Sequence, residues 1–232
     1  MKKFTTLLLS LLMLCGCAAL ADAPALSADV YVSITDETGA LVLAYCPVTV
    51  TDTDADGALT ISDALHAAHA AHHEAAADAY CAAATEYGLS LTKLWGAENG
   101  GSFGYCLNDA SAWSLLDPVS DGDHVKAYVY TDLTAWSDAY CWFSAPAIEA
   151  AAGSGVALTL SAAGYDEAWN PVTLPVSGAV LTVNGEAAQV TTDAEGKAVL
   201  TFLEAGVYVV SAVSETQNLV APVCIVTVSA AE

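Results

Sequence analysis

Four aspartates and one glycine mark out the stretch of this chain best suited to chemistry. In the run Asp52-Thr-Asp-Ala-Asp-Gly-Ala-Leu-Thr-Ile-Ser-Asp63, Asp52, Asp54, Asp56 and Asp63 stand at positions 1, 3, 5 and 12, and Gly57 stands at position 6. A hard divalent cation such as calcium takes about six to eight oxygen ligands, and alternate residues of a tight loop point inward to supply them. Ala58 at position 7 offers its backbone carbonyl, and Gly57 permits the sharp turn that this requires. Leu59 at position 8 is expected to pack inward, and Thr60 at position 9 to bind through a water. The spacing therefore predicts a Ca2+ site built from Asp52, Asp54, Asp56, the Ala58 carbonyl and Asp63. Its expected role is structural. Aspartate at position 12 is one methylene shorter than glutamate, which shortens its reach and weakens affinity. The competing reading is an acidic turn that only caps a helix. Four carboxylates converging without a cation would, however, repel by several kcal/mol at intermediate dielectric.

The elements that must position this loop are legible on both sides. Asp29 to Ile34 and Leu41 to Val50 alternate in the strand period, with a turn at Asp36–Gly39, so a β-hairpin is expected to run straight into the acidic run. From Ile61 to about Ala84 the chain is alanine-rich, which predicts one long helix with Thr60 or Ser62 as its cap and Asp63 in its first turn. The site is thus strand–loop–helix, half of an EF-hand. On that helix His66, His69 and His73 share a face at i, i+3 and i+7, a spacing compatible with a second metal; a solvated, alanine-spaced face is the preferred reading. The sequence His73-Glu74 lacks the second histidine of H-E-x-x-H, because Ala77 stands there, and Gly153-Ser-Gly155 is not a nucleophile elbow. No catalytic residues are assigned, and the reading is of a protein that is not an enzyme.

Composition narrows the partners. The 232 residues carry 5 basic and 27 acidic side chains, a formal net charge of −22, with 55% hydrophobic residues. Such acidity excludes nucleic acid and anionic membrane as nonspecific electrostatic partners, while the hydrophobic fraction suits folded cores. Residues 1–21 read as a signal peptide: Lys2 and Lys3 form its charged region, and Phe4 to Leu14 its apolar region. Two exits are open. Leu14-Cys15-Gly16-Cys17 has the form of a lipobox and would place a lipid on Cys17, whereas Ala19-Leu20-Ala21 would release the chain before Asp22. Both make the protein extracytoplasmic, either secreted or held at the cell surface through a lipid anchor. Beyond the leader, Cys46, Cys81, Cys106, Cys141 and Cys224 are odd in number and lack C-x-x-C spacing; they read as small buried hydrophobes, with one or two disulfides left open.

Further along, Phe103 to Asn108 and His124 to Tyr130 read as strands around a short excursion at Ser111–Leu116. The run Gly104-Tyr-Cys-Leu-Asn108, followed by Val119-Ser-Asp-Gly-Asp123 and an aromatic strand, resembles the β-grasp domain shared by the DUF4430 family and the transcobalamin carboxy-terminal region. That resemblance spans residues 28–132 and implies a β-grasp-like sheet with one main helix and a ligand edge. The acidic loop itself resembles a type I dockerin repeat. A dockerin carries two such repeats and this chain has one, so the resemblance supports the metal site and not a docking partner.

Residues 133–153 read as an aromatic linker, and from 154 to 232 the pattern is strands alone: Val156–Leu160, Ala179–Val183, Ala198–Phe202, Gly206–Ala212 and Val223–Val228. Turn residues at Asn184-Gly185 and Asp193–Gly196 separate them. This half resembles the bacterial Ig-like or prealbumin-like modules, which implies a β-sandwich. The expected fold class is α+β followed by all-β. Trp95 and Trp113, near the glycine-rich loop 96–101, are the expected ligand surface. The function expected is an exported bacterial calcium-binding module, non-enzymatic, for a glycan, small molecule or protein partner. The alternative is a structural spacer or assembly module. An exposed aromatic cluster beside a concavity favours the first, and buried tryptophans favour the second.

Overall fold

Branched and small polar residues alternate along the first hairpin, and that alternation sorts one face into the core. β1 (Ser27–Thr35) pairs antiparallel with β2 (Leu41–Thr51), and Val30, Val32 and Ile34 are almost wholly buried. The Asp36 carboxylate closes the turn by accepting from the backbone N–H groups of Thr38 and Ala40. The computed structural model describes residues 26–86 and 88–231; the expected signal peptide, Cys17 and the Ala19–Ala21 site lie outside them.

After the acidic loop comes α1 (Ile61–His72), whose residues Ile61, Ala64, Leu65 and Ala68 form a buried stripe at helical spacing against the sheet. The helix expected to reach about Ala84 stops twelve residues short of it. His73 is already extended, its N–H closing on the His69 carbonyl. A 3-10 turn at Ala76–Ala79 follows, and then β3 (Cys81–Thr85) pairs with β4 (Gly88–Lys93). Alanine's helical preference is worth only about 0.7 kcal/mol per residue over ordinary residues. Pairing that buries Leu91 and carries Leu94 into the core outweighs it.

β5 (Phe103–Leu107), the short β6 (Ala110–Ser111) and β7 (His124–Val129) complete the first sheet in the order β2-β1-β7-β5-β6. β1 and β7 are parallel, and the other pairs are antiparallel. β7 is buried along its whole length, as its central position between β1 and β5 requires.

The segment 133–153, expected to be a linker, is instead part of the second unit. β8 (Ala139–Phe143) and β9 (Ala147–Ala151) lie within it, followed by β10 (Gly155–Tyr165), β11 (Pro171–Pro175), β12 (Val180–Val183), β13 (Glu186–Thr191) and β14 (Lys197–Thr201). β15 (Gly206–Val213), β16 (Leu219–Val220) and β17 (Cys224–Ser229) finish the chain. One sheet runs β11-β10-β8-β16, with β14 also on β10; the other runs β13-β12-β15-β17-β9. Their inward residues, among them Phe143, Leu158, Leu160, Leu181, Val210 and Val226, share one core. The molecule is therefore mostly β, built from several sheets, with a single long helix among the described residues. Tyr208, near the start of β15, donates its hydroxyl to the Glu204 carbonyl 3.0 Å away, which ties the strand to the turn before it.

A third apolar cluster joins the two units: Cys106 and Tyr128 on one side, Tyr140 and Val220 on the other. Within it the Lys126 ammonium lies 2.7 Å from Asp109 and over the Tyr140 ring, while the Tyr140 hydroxyl donates to the same carboxylate at 2.9 Å. All five cysteines among the described residues are free thiols, and Cys106, Cys141 and Cys224 are buried.

Candidate metal centre

The acidic loop leaves β2 and wraps on itself through two left-handed residues, Ala55 at φ +60° and Gly57 at φ +87°. Backbone N–H groups turn inward to the carboxylates. Asp52 accepts from Asp56 at 3.2 Å and from Gly57 at 2.9 Å, Asp54 accepts from Asp56 at 3.3 Å, and Asp56 accepts from Ala58 at 2.8 Å. The outcome is a convergence: one carboxylate oxygen from each of Asp52, Asp54 and Asp56 lies within 4.8 Å of the others. Desolvation and the negative charges of Asp56, Asp63 and Asp52 push the Asp54 carboxyl above its usual range, against the N–H of Asp56, which lowers it. An all-oxygen, all-acidic donor set suits a hard divalent cation, which would relieve that repulsion.

Asp63, the expected twelfth-position ligand, is used differently. It is buried, and both oxygens face donors: Oδ1 accepts from the N–H and hydroxyl of Thr53, and Oδ2 from the N–H of Thr60 at 3.1 Å and its hydroxyl at 2.7 Å. Burial alone would raise its pKa, and these bonds hold it below the usual range. Thr60 reciprocates by accepting from the Asp63 N–H at 3.2 Å, which completes a capping box. Asp63 therefore ties loop position 2 to position 9 and caps α1 in one move. Asp63→Ala is expected to cost about 2–4 kcal/mol, through lost bonds and orphaned donors, in urea unfolding with EDTA present. A loss below about 1 kcal/mol would contradict this clamp role.

The loop's exit is anchored to the segment before β7. Val119 donates to the Leu59 carbonyl at 2.9 Å, and the first helical N–H groups, of Ile61 and Ser62, donate to the carbonyls of Asp117 and Leu115. Leu59 is buried in the core and Ala58 is half-buried.

The histidine face is not solvated as expected. His69 is fully buried. Its Nδ1 lies 2.6 Å from the Leu65 carbonyl, an acceptor, and its Nε2 lies 2.9 Å from the Trp95 N–H, a donor. Those partners define the neutral tautomer protonated on Nδ1, and they leave neither nitrogen free for a metal. The neighbouring rings pack as aromatics: His73 stands edge-on to Trp95 at 4.8 Å, and His66 approaches Tyr80 at 6.2 Å.

The tryptophan pair expected to form a ligand surface is divided between two environments. Trp95 is half-buried against His69 and His73, while Trp113 is 96% exposed. A cleft of 690 Å³ between the turn after β1 and the sandwich, lined by Thr38, Leu41, Asn184, Val213, Gln217 and Asn218 among others, carries no charged side chain. The described helices include none long and apolar enough to cross a membrane.

No protein-family model and no curated protein matches this chain. Among solved structures it is similar to the crystal structure of Dscam1 isoform 4.44, N-terminal four Ig domains, at 11% identity, and to that of isoform 6.9 at 9%. Each match covers 47% of this chain and 23% of the other, with a TM-score of 0.24.

Proposed function

We propose that this is an exported, calcium-binding, non-enzymatic module in which the ion fixes the passage from β2 into α1. The convergence of Asp52, Asp54 and Asp56 within 4.8 Å carries the reading. Asp63 supports the site from behind by closing the loop, so the ion completes a preformed turn instead of building one. The first unit is best read as a β-grasp domain. Support comes from the hairpin–helix order, from β1 lying parallel beside β7, and from contact between the residues that carried the family resemblance: Asn108 donates to Asp123 at 2.7 Å and accepts from the His124 N–H at 2.9 Å. The second unit is read as an Ig-like sandwich that displays or spaces the first. Export, with release before Asp22 or lipidation at Cys17, rests on the leader sequence. Partners of a −22 chain are neutral or cationic: a glycan, a small molecule or a protein.

Calcium at about a thousand times its dissociation constant stabilises a single-site protein by roughly 4 kcal/mol. The melting temperature is therefore expected to rise by several degrees on adding calcium and to fall back with EDTA. In the Asp54→Asn, Asp56→Asn double variant the shift should vanish. An equal calcium shift in that variant would remove the loop from the account.

A further inference from the structure

We infer that the tip of the β10–β11 hairpin is a stacking site for neutral carbohydrate, formed by Tyr165 and Trp169. This site lies in the second unit and is independent of the calcium loop. Tyr165 and Trp169 are 65% and 81% exposed, and their ring centroids are 6.1 Å apart with the planes tilted by 45°, which makes an open V of two aromatic faces. Exposure of a single tryptophan is ordinary; a pair held in register is not.

The turn that holds the pair is built for rigidity. Asp166 donates its N–H to the Asn170 carbonyl at 3.0 Å and accepts at Oδ1 from the N–H groups of Ala168 and Asn170, at 2.9 and 2.8 Å. Its carboxylate also accepts from the Asn170 side-chain amide at 3.0 Å, and the Trp169 N–H returns to the Asp166 carbonyl at 3.0 Å. Trp169 sits at φ +63°, a left-handed conformation that costs a bulky residue free energy and tends to mark positions kept for a purpose. Below the tip the strands are in register, with Tyr165 opposite Pro171. The indole is thus presented outward on a fixed base, at little entropic cost to a ligand that stacks on it.

The chemistry of the surroundings selects the occupant. Pyranose rings offer C–H faces that lie on the electron-rich face of an aromatic ring, and hydroxyls that donate to acceptors at the rim. The rim here supplies acceptors: Glu167 is exposed, and the loop between the rings holds no cation. Anionic ligands are repelled by Asp166, Glu167 and a chain charge of −22. A stable protein partner would need roughly 800 Å² from this side, whereas the turn between the two rings, Asp166-Glu167-Ala168, offers only small or polar side chains. A cation held by cation–π contact would want rings on several sides, and the pair is open.

The test is native affinity electrophoresis of the full chain in gels containing hydroxyethylcellulose, xyloglucan or laminarin, at low and at about 0.5 M salt, where the Debye length is only a few ångström. The expected result is retardation in at least one gel, insensitive to salt and to EDTA. It should weaken at least tenfold in Trp169→Ala and in Tyr165→Ala and persist in Trp113→Ala, with all three variants retaining the parent circular dichroism spectrum. Retardation unchanged in Trp169→Ala, mobility unaltered in every gel, or retardation abolished by salt would each overturn the assignment. Co-flotation with phosphatidylcholine vesicles in place of polysaccharide binding would overturn it as well.

Discussion

At about pH 4.5 the folded chain is expected to be roughly 5 kcal/mol less stable than at neutrality, because two histidines must stay neutral inside it. His69 is held down to about 4, by burial first and then by the nearby charges of His73 and His66, against the Leu65 carbonyl, which raises it. His124 is held down to about 3, by burial and then by the Lys126 charge, against Asp109. Geometry gives the same answer at His69, where a proton on Nε2 would face the Trp95 N–H. At His124 the ring is buried with Nε2 2.9 Å from the Ser33 hydroxyl, which can donate to the neutral ring. Both folded-state values lie below the ordinary histidine value of about 6.5, so the unfolded chain binds more protons as pH falls from there. The stability is present above that point and is lost as pH drops toward 4 and then 3. Each site contributes about 2–3 kcal/mol of loss by pH 4.5, a large share of a total of about 5–15 kcal/mol. Urea unfolding at both pH values checks this. A stability that stays flat between them would contradict the buried neutral histidines.

Asp109→Ala is the substitution expected to do most damage at the seam between the units, at about 3–5 kcal/mol. The Lys126 side chain is only 8% exposed and its ammonium is 2.7 Å from Asp109. Removing the carboxylate strands that charge between Tyr140 and Cys106 and takes the acceptor from the Tyr140 hydroxyl. The pair as a whole contributes much less than either half alone suggests, since its mutual attraction is largely offset by desolvation of both charges. Pairing Asp109→Ala with Lys126→Met is therefore expected to recover at least about half of the loss. A double variant as unstable as the two singles combined would show that the groups act separately.

How far the sequence disclosed this architecture depends on where local pattern and tertiary pairing agree. The hairpin of β1 and β2, together with β5, β7, β10, β12, β14, β15 and β17, appears where the strand pattern placed it, whereas β11, β13 and β16 were not read from the sequence. Ala82 to Ala84 carry a helical signal and no alternation, yet they form β3, because their pairing with β4 is long-range information. Ala139 to Phe143 read as an aromatic cover, but Tyr140 and Cys141 are buried as β8 takes its place beside β10. At the site, spacing named four aspartates, and three of them, Asp52, Asp54 and Asp56, converge. The fourth, Asp63, is both loop position 12 and the third residue of the helix, and the helix claims it through Thr60. Residue type alone does not separate those two roles. His69 was hidden for a similar reason: its burial follows from its place one turn beyond Leu65, while its polarity argued for solvent. The Tyr165–Trp169 pair is a sequence-local feature, signalled by Asp166 and Asn170 around a five-residue turn, but its exposure is visible only once β10 and β11 are paired.

The central claim is a single calcium ion held by Asp52, Asp54 and Asp56. Isothermal titration of the metal-stripped chain with calcium tests it most directly. The account predicts one ion per chain, with binding lost in Asp52→Asn and in Asp56→Asn while both variants still unfold cooperatively. A chain that takes up no calcium, or one that binds equally well in both variants, would contradict it.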